Sequence, residues 1–263
     1  MTLATPARAA DGVLEINQTC AMQTGCFAGD TPGFPVTIST SGTSYRLTAP
    51  LFVLNENISG IQISTDNVSI DLAGFEIRGP VVCSGTPIVC APNSGTGSGV
   101  WVTPDTLAGI SVRNGSIRGM GFNGVYLGIQ SEVTNLRVRS NRVDGINVSA
   151  GSTVSDNTAL QNGGGGIFAS TGSSVSGNTV LVNGGVGISV FDGSTVSGNT
   201  VYQNTGDGIK TTQGCTIAGN TMRVNGGFGL RIGGVSGYRD NVITLNTEGN
   251  VMGGIDLGSN LSF

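Results

Sequence analysis

The chain predicts an all-β solenoid: coils of about 21 residues, three short strands to a coil, each coil stacked on the last. Three observations carry that expectation. Of 263 residues 45 are glycine and only 11% are charged, so runs of good helix formers are nearly absent. Gly124, Gly145, Gly166, Gly187, Gly208 and Gly229 stand 21 residues apart, and each opens the phrase Gly-aliphatic-x-aliphatic. Asparagines recur at the same interval in two further columns. A fixed period of this length marks units that cannot bury an apolar face alone and must stack to do so.

Within one unit, Gly187 to Asp207, glycine, asparagine and serine separate three β-type pieces, each too short to stand alone as a sheet. Superposing the units aligns four apolar columns. The first is Val125, Ile146, Ile167, Ile188, Ile209, Leu230, and the second Leu127, Val148, Ala169, Val190, Thr211, Ile232. The third is Val133, Val154, Val175, Val196, Ile217, Tyr238, and the fourth Val138, Ala159, Val180, Val201, Met222, Ile243. Coils in register would bring each column into one continuous core at about 4.8 Å per step. One asparagine column, Asn157, Asn178, Asn199, Asn220, Asn241, follows the second strand; the other, Asn141, Asn162, Asn183, Asn204, Asn225, Asn246, follows the third. Asparagine tolerates left-handed backbone at sharp turns and its amide can bond from coil to coil, so both columns are expected to be structural ladders.

The amino-terminal part is less regular. Residues 1–10 read as the small-residue end of a secretory signal, with cleavage after Ala9, or as a disordered tail. Residues 11–50 lack the period and are expected to cap the first coil. Residues 51–263 form the solenoid, with 80–98 inserted as a Gly/Pro/Ser-rich loop over one face. Cys20 and Cys26, and Cys83 and Cys90, are close pairs in loop-like segments and are expected to be disulfides of an oxidising compartment. Cys215 stands in a column of serines, Ser131, Ser152, Ser173, Ser194 and Ser236, and is left without a partner.

With this phrase and these ladders the chain resembles the right-handed parallel β-helix repeat proteins. That is the pectin-lyase-like group, which includes polysaccharide lyases, hydrolases, epimerases and uncharacterised secreted proteins. The resemblance is regular from Gly124 to about Phe263 and reappears at Asn67 to Gly79 and Gly109 to Gly119. It implies a single-stranded right-handed parallel β-helix of roughly nine or ten coils, a fold that hosts many chemistries and does not choose among them.

Composition narrows the choice. Without histidine there is no Ser-His-Asp triad, no Cys-His pair and no imidazole base or zinc ligand. A net charge of −4 has the wrong sign for a nucleic-acid partner, and no apolar run is long enough for a membrane span.

The residue between the two inward positions of each Gly-Ile-x-Val strand points outward. That column is Tyr126, Asn147, Phe168, Ser189, Lys210, Arg231, with Asp256 expected on the coil after; Phe191 also faces out. Tyr126, Phe168 and Phe191 on one face suit stacking on the sugars of a linear, acidic polysaccharide. The other reading is that they only fill the pleated surface or lie beneath the 80–98 loop. Lys210 and Arg231, one coil apart, resemble the catalytic pair of alginate- and chondroitin-type β-helix lyases. The resemblance implies Lys210 as base, Arg231 as acid or charge clamp, and calcium as the helper. The chain departs from that pattern in its acids: only Asp207 stands near Lys210 for calcium, with Asp144 three coils away. A solvated surface pair is the alternative. The clustered aspartates of polygalacturonase-like hydrolases and the histidine-bearing motif of mannuronan epimerases are both absent.

These observations point to a secreted, periplasmic or cell-surface scaffold or glycan-binding protein that needs no cofactor. The runner-up is a calcium-assisted lyase acting on a uronate-containing polysaccharide. The last coil is expected either to close under Leu261 and Phe263 or to stack end to end on another copy.

Overall fold

Each unit contains short alternations of aliphatic and polar residues broken by glycine or asparagine, and each alternation forms a three-residue strand. In the unit opened by Gly187 the strands are Ile188–Val190, Thr195–Ser197 and Thr200–Tyr202. The computed structural model describes residues 12–263, so the signal-like segment 1–10 lies outside the described residues. Ten strands, from Val36–Ile38 to Gly249–Met252, stack in parallel and in single file as one sheet, and the remaining strands of the coils form a second sheet of 19. The chain is an all-β parallel solenoid of about 11 turns.

That exceeds nine or ten because residues 11–50 already contribute rungs: Leu14–Ile16 pairs with Ser44–Leu47, and Val36–Ile38 with Ile61–Ile63. Beside them a short helix, Gln18–Gln23, buries Ala21 in the core and is tied down by the Cys20–Cys26 disulfide.

All four apolar columns are buried except for half-buried Tyr238. Each aliphatic side chain so placed is worth about 1.5–3 kcal/mol of transfer from water. Thr211 is the misfit: it is fully buried, and its hydroxyl finds no partner among the described residues. The glycine column follows from the stacking distance. A Cβ on Gly187 would meet the Gly208 carbonyl oxygen at 2.6 Å and run into Val201 of its own coil, so no larger residue fits where one coil's backbone rests on the next.

Both asparagine columns are ladders. Asn199 donates from its backbone N–H (2.9 Å) and from Nδ2 (2.9 Å) to Oδ1 of Asn220, while Nδ2 also donates to the Val175 carbonyl (2.9 Å). Its own Oδ1 accepts the same two donors from Asn178. The second ladder repeats this, with Asn183 donating to Asn204 and Asn204 to Asn225. The asparagines are not the left-handed residues of these corners, as the sequence suggested. The residue just before each takes that conformation: Gly177, Gly198 and Gly219 at one corner, and Gln161, Val182, Gln203 and Val224 at the other. The ladder asparagine is thereby free to turn its amide into the interior. A third ladder runs through the serines, with the backbone N–H of Ser131, Ser152 and Ser173 each donating to the next hydroxyl, and after a break at Ser194 it resumes where Cys215 donates its backbone N–H to Ser236 Oγ (2.9 Å). Cys215 is buried and free.

The 80–98 insertion folds into an antiparallel hairpin, Val82–Ser84 with Val89–Ala91, closed by the Cys83–Cys90 disulfide. It leans on the start of the second ladder, with Cys83 Sγ 3.5 Å from the Asn141 carbonyl. Leu261 and Phe263 do not fold over the core: Leu261–Ser262 continues the second sheet by pairing with Val242–Ile243, and both large side chains are exposed. No helix among the described residues is long and apolar enough to cross a membrane.

Candidate functional site

Strict alternation on the ten-stranded sheet turns the middle residue of each strand outward, and the parallel register sets these residues in one line. In order they are Thr37, Gln62, Trp101, Tyr126, Asn147, Phe168, Ser189, Lys210, Arg231 and Met252. From Trp101 to Arg231 the line runs for about 29 Å at ~4.8 Å per rung.

Two members differ from expectation. Asp256 is not on this line: Met252 keeps the 21-residue interval after Arg231, and Asp256 pairs with Tyr238 on the other sheet. The phrase Gly254-Ile-Asp-Leu257 imitates the strand opening but falls out of register with it. Trp101, by contrast, was not anticipated, although Gly99-Val-Trp-Val102 carries the same phrase at a different spacing from Gly124. It is 37% exposed, beside a hollow of about 220 Å³ lined by Phe34, Ile58 and Gln62.

The aromatic residues form two groups. Trp101 and Tyr126 are on adjacent rungs, and burial, with Asp105 nearby, pushes the Tyr126 hydroxyl pKa up. Phe168 and Phe191 meet with ring centroids 5.4 Å apart in a tilted pair, Phe191 being 39% exposed. Asn147 stands between the two groups on the line.

Lys210 and Arg231 lie side by side on neighbouring strands. Lys210 is exposed and makes no hydrogen bond or ion pair among the described residues. Arg231 is held on three sides. Its Nε lies 2.7 Å from Asp207 Oδ2, an ionic contact whose N–H is not aimed along a hydrogen bond; Nη2 donates to Glu248 Oε2 at 2.9 Å; and the guanidinium sits 4.8 Å over the Phe228 ring.

Asp207 is buried, and its second oxygen accepts the Phe228 backbone N–H at 2.8 Å. Three coils earlier Asp144 does the same for Gly165 at 2.7 Å, and burial raises its pKa. These aspartates therefore act as coil-to-coil staples. With both Asp207 oxygens engaged, and no cluster of three or more acidic, cysteine or histidine ligands among the described residues, the donor set does not suit calcium beside Lys210.

A family model described as the right handed beta helix region matches residues 97–256, more than half of the chain. The chain belongs to this right-handed β-helix family. No curated protein sequence matches it.

Among solved structures the β-helix protein is similar to two epimerase modules from Azotobacter vinelandii. The A-module of mannuronan C-5 epimerase AlgE6 is 15% identical, with a TM-score of 0.57, over 95% of this chain and 78% of that one. The A-module of AlgE4 is 17% identical, with a TM-score of 0.54, over 90% and 69%. A double mutant of the periplasmic alginate epimerase AlgG is 14% identical, with a TM-score of 0.51, over 84% and 70%. At these identities the likeness is one of fold.

Proposed function

We propose that this β-helix protein is an extracellular or periplasmic binder of an acidic polysaccharide, held along the ten-stranded face without being cleaved. One observation carries the reading: the straight outward line that sets Trp101, Tyr126 and the Phe168–Phe191 pair ahead of an unpaired Lys210. Exposed rings offer flat apolar surface to sugars, and a cation without a carboxylate partner is available to an acidic one. A line of sites at the rung spacing suits a linear chain. The two disulfides support an oxidising compartment. Fold neighbours named for mannuronan and alginate support a polysaccharide, but their reaction is not carried over, since this chain has no histidine.

The alternative, a calcium-assisted lyase, has in its favour the adjacency of Lys210 and Arg231. Against it, Arg231 is neutralised by Asp207 and Glu248, and the buried Asp207 carboxylate has both oxygens engaged.

Incubation with alginate, chondroitin and polygalacturonate in calcium distinguishes the two. The binding reading expects retention on at least one of these glycans and no release of unsaturated uronate, with weaker retention for Phe168→Ala and Lys210→Ala. Release of unsaturated product that Lys210→Ala abolishes would establish the lyase instead.

A further inference from the structure

The strongest concentration of unbalanced charge lies on the other sheet. There the register stacks Arg78, Arg118 and Arg139 on three consecutive rungs, with Phe52 on the rung before Arg78. Like charges directly opposite one another in a sheet are destabilising. Among the described residues a single acid answers them: Glu76, whose carboxylate accepts from Arg118 Nε (2.8 Å) and Nη2 (3.4 Å). The same arginines hold the Glu76 carboxyl below its usual range, with Arg118 the largest influence and Arg78 and Arg139 acting at longer reach. Among the described residues the guanidinium groups of Arg78 and Arg139 make no hydrogen bond or ion pair. Three cations against one anion occupy a single patch of a chain whose net charge is −4.

The patch is also concave. The cystine hairpin rises beside it, and between hairpin and sheet lies a cleft of about 590 Å³, within the range of small-molecule sites. Its lining includes all three arginines together with Phe52, Leu54 and Val82, exposed apolar side chains. Guanidinium forks match planar oxyanions in pairs of parallel hydrogen bonds. The apolar walls ask for a ligand with an apolar face as well as a charge.

We propose that this cleft is a second binding site, taking one anionic sugar unit, with the carboxylate or sulfate ester of that unit between Arg78 and Arg139 and its ring against Phe52. The choice of a sugar as carrier rests on the reading of the ten-stranded face; the anion site itself does not. The disulfide closes the hairpin wall on itself, and its sulfurs rest on the Asn141 carbonyl of the solenoid.

Calorimetric titration of the full chain with a galacturonate trimer, a sulfated chondroitin disaccharide and neutral maltotriose tests it. One or both anionic probes should bind, more weakly as salt is raised, and maltotriose should not. Arg78→Gln and Arg139→Gln should each weaken binding about tenfold while raising the melting temperature of the unliganded protein, because each removes a like-charge contact. Phe168→Ala and Lys210→Ala should leave this binding unchanged even if they abolish retention on polymers, which separates the cleft from the aromatic face. A carboxylate-only or sulfate-only response names the source of the charge. The proposal is overturned if neither anionic probe binds, if maltotriose binds as well as they do, or if the arginine variants bind like the wild type.

Discussion

The two halves of the solenoid are stabilised differently. From Gly124 to Asn246 the interval is fixed at 21 residues, and most buried polar side chains belong to a ladder of asparagine or serine. Before that, neighbouring coils pair across intervals as long as 42 residues, as between Ser69 and Ser111. There, single devices take the place of ladders: Asp30 accepting from the Cys26 and Thr37 backbone, and two cystines closing short loops. A ladder demands that every coil bring the same residue to the same corner, so it cannot coexist with insertions. Insertions in turn supply walls and hollows. The cystine hairpin and the hollow beside Trp101 lie before the regular coils, and the arginine cleft straddles the boundary between the two halves.

Substitutions can break this contrast, starting with the largest. Gly187→Ala, which presses on the Gly208 carbonyl, should cost about 3 kcal/mol. Gly74→Ala in the irregular half, where nothing lies within 4 Å, should cost only its backbone strain of about 1 kcal/mol. Equal denaturation midpoints for the two variants would contradict the close-contact account of the glycine column.

Asn199→Ala leaves the buried Asn178 backbone N–H without its acceptor and takes one donor from the Val175 carbonyl, and should lower stability by about 2–3 kcal/mol in urea unfolding. Exposed Asn57→Ala should stay within about 0.5 kcal/mol of wild type. Replacing Cys20 and Cys26 together by serine should cost about 2 kcal/mol. Hydrogen exchange should locate that loss in the first coils and leave the ladders protected. Thr211→Val fills the same space without an unanswered hydroxyl and should raise stability by about 1 kcal/mol; a lower midpoint would mean that the hydroxyl has a partner after all.

The smallest effect concerns pH. Burial raises the Asp144 pKa in the folded chain, so its ionisation opposes folding in full above that pKa; the opposition declines as pH falls through it and is gone below the unfolded-chain value. Asp144→Asn keeps an acceptor for Gly165. It should be slightly more stable than wild type at neutral pH, and the two melting curves should converge on acidification.

The regular half was readable because period, inward columns and outward line are all consequences of one number. Tyr126, Phe168, Lys210 and Arg231 fall in line for that reason alone. The cleft was not readable. Arg118 and Arg139 keep the 21-residue interval, but Arg78 stands 40 residues before Arg118, and only the strand register makes it their neighbour. Trp101 was hidden by the same irregularity, while Asp256 was misplaced by a phrase that copied the motif without keeping the interval. The pairing of Arg231 with Asp207 and Glu248 depends on side-chain reach across coils, which no spacing in the sequence expresses.

The ladders also have a direction. In every asparagine pair the earlier coil gives two donors and the later coil gives one oxygen: Asn178 to Asn199, Asn199 to Asn220, Asn204 to Asn225. A coil that has folded but whose successor has not therefore presents buried-type N–H groups with no acceptor, and the next 21 residues carry the matching oxygen. This direction matches the order of synthesis: each turn that emerges carries the oxygens that complete the one before it. The same asymmetry gives every ladder amide the same orientation, and the aligned dipoles polarise one another along the axis.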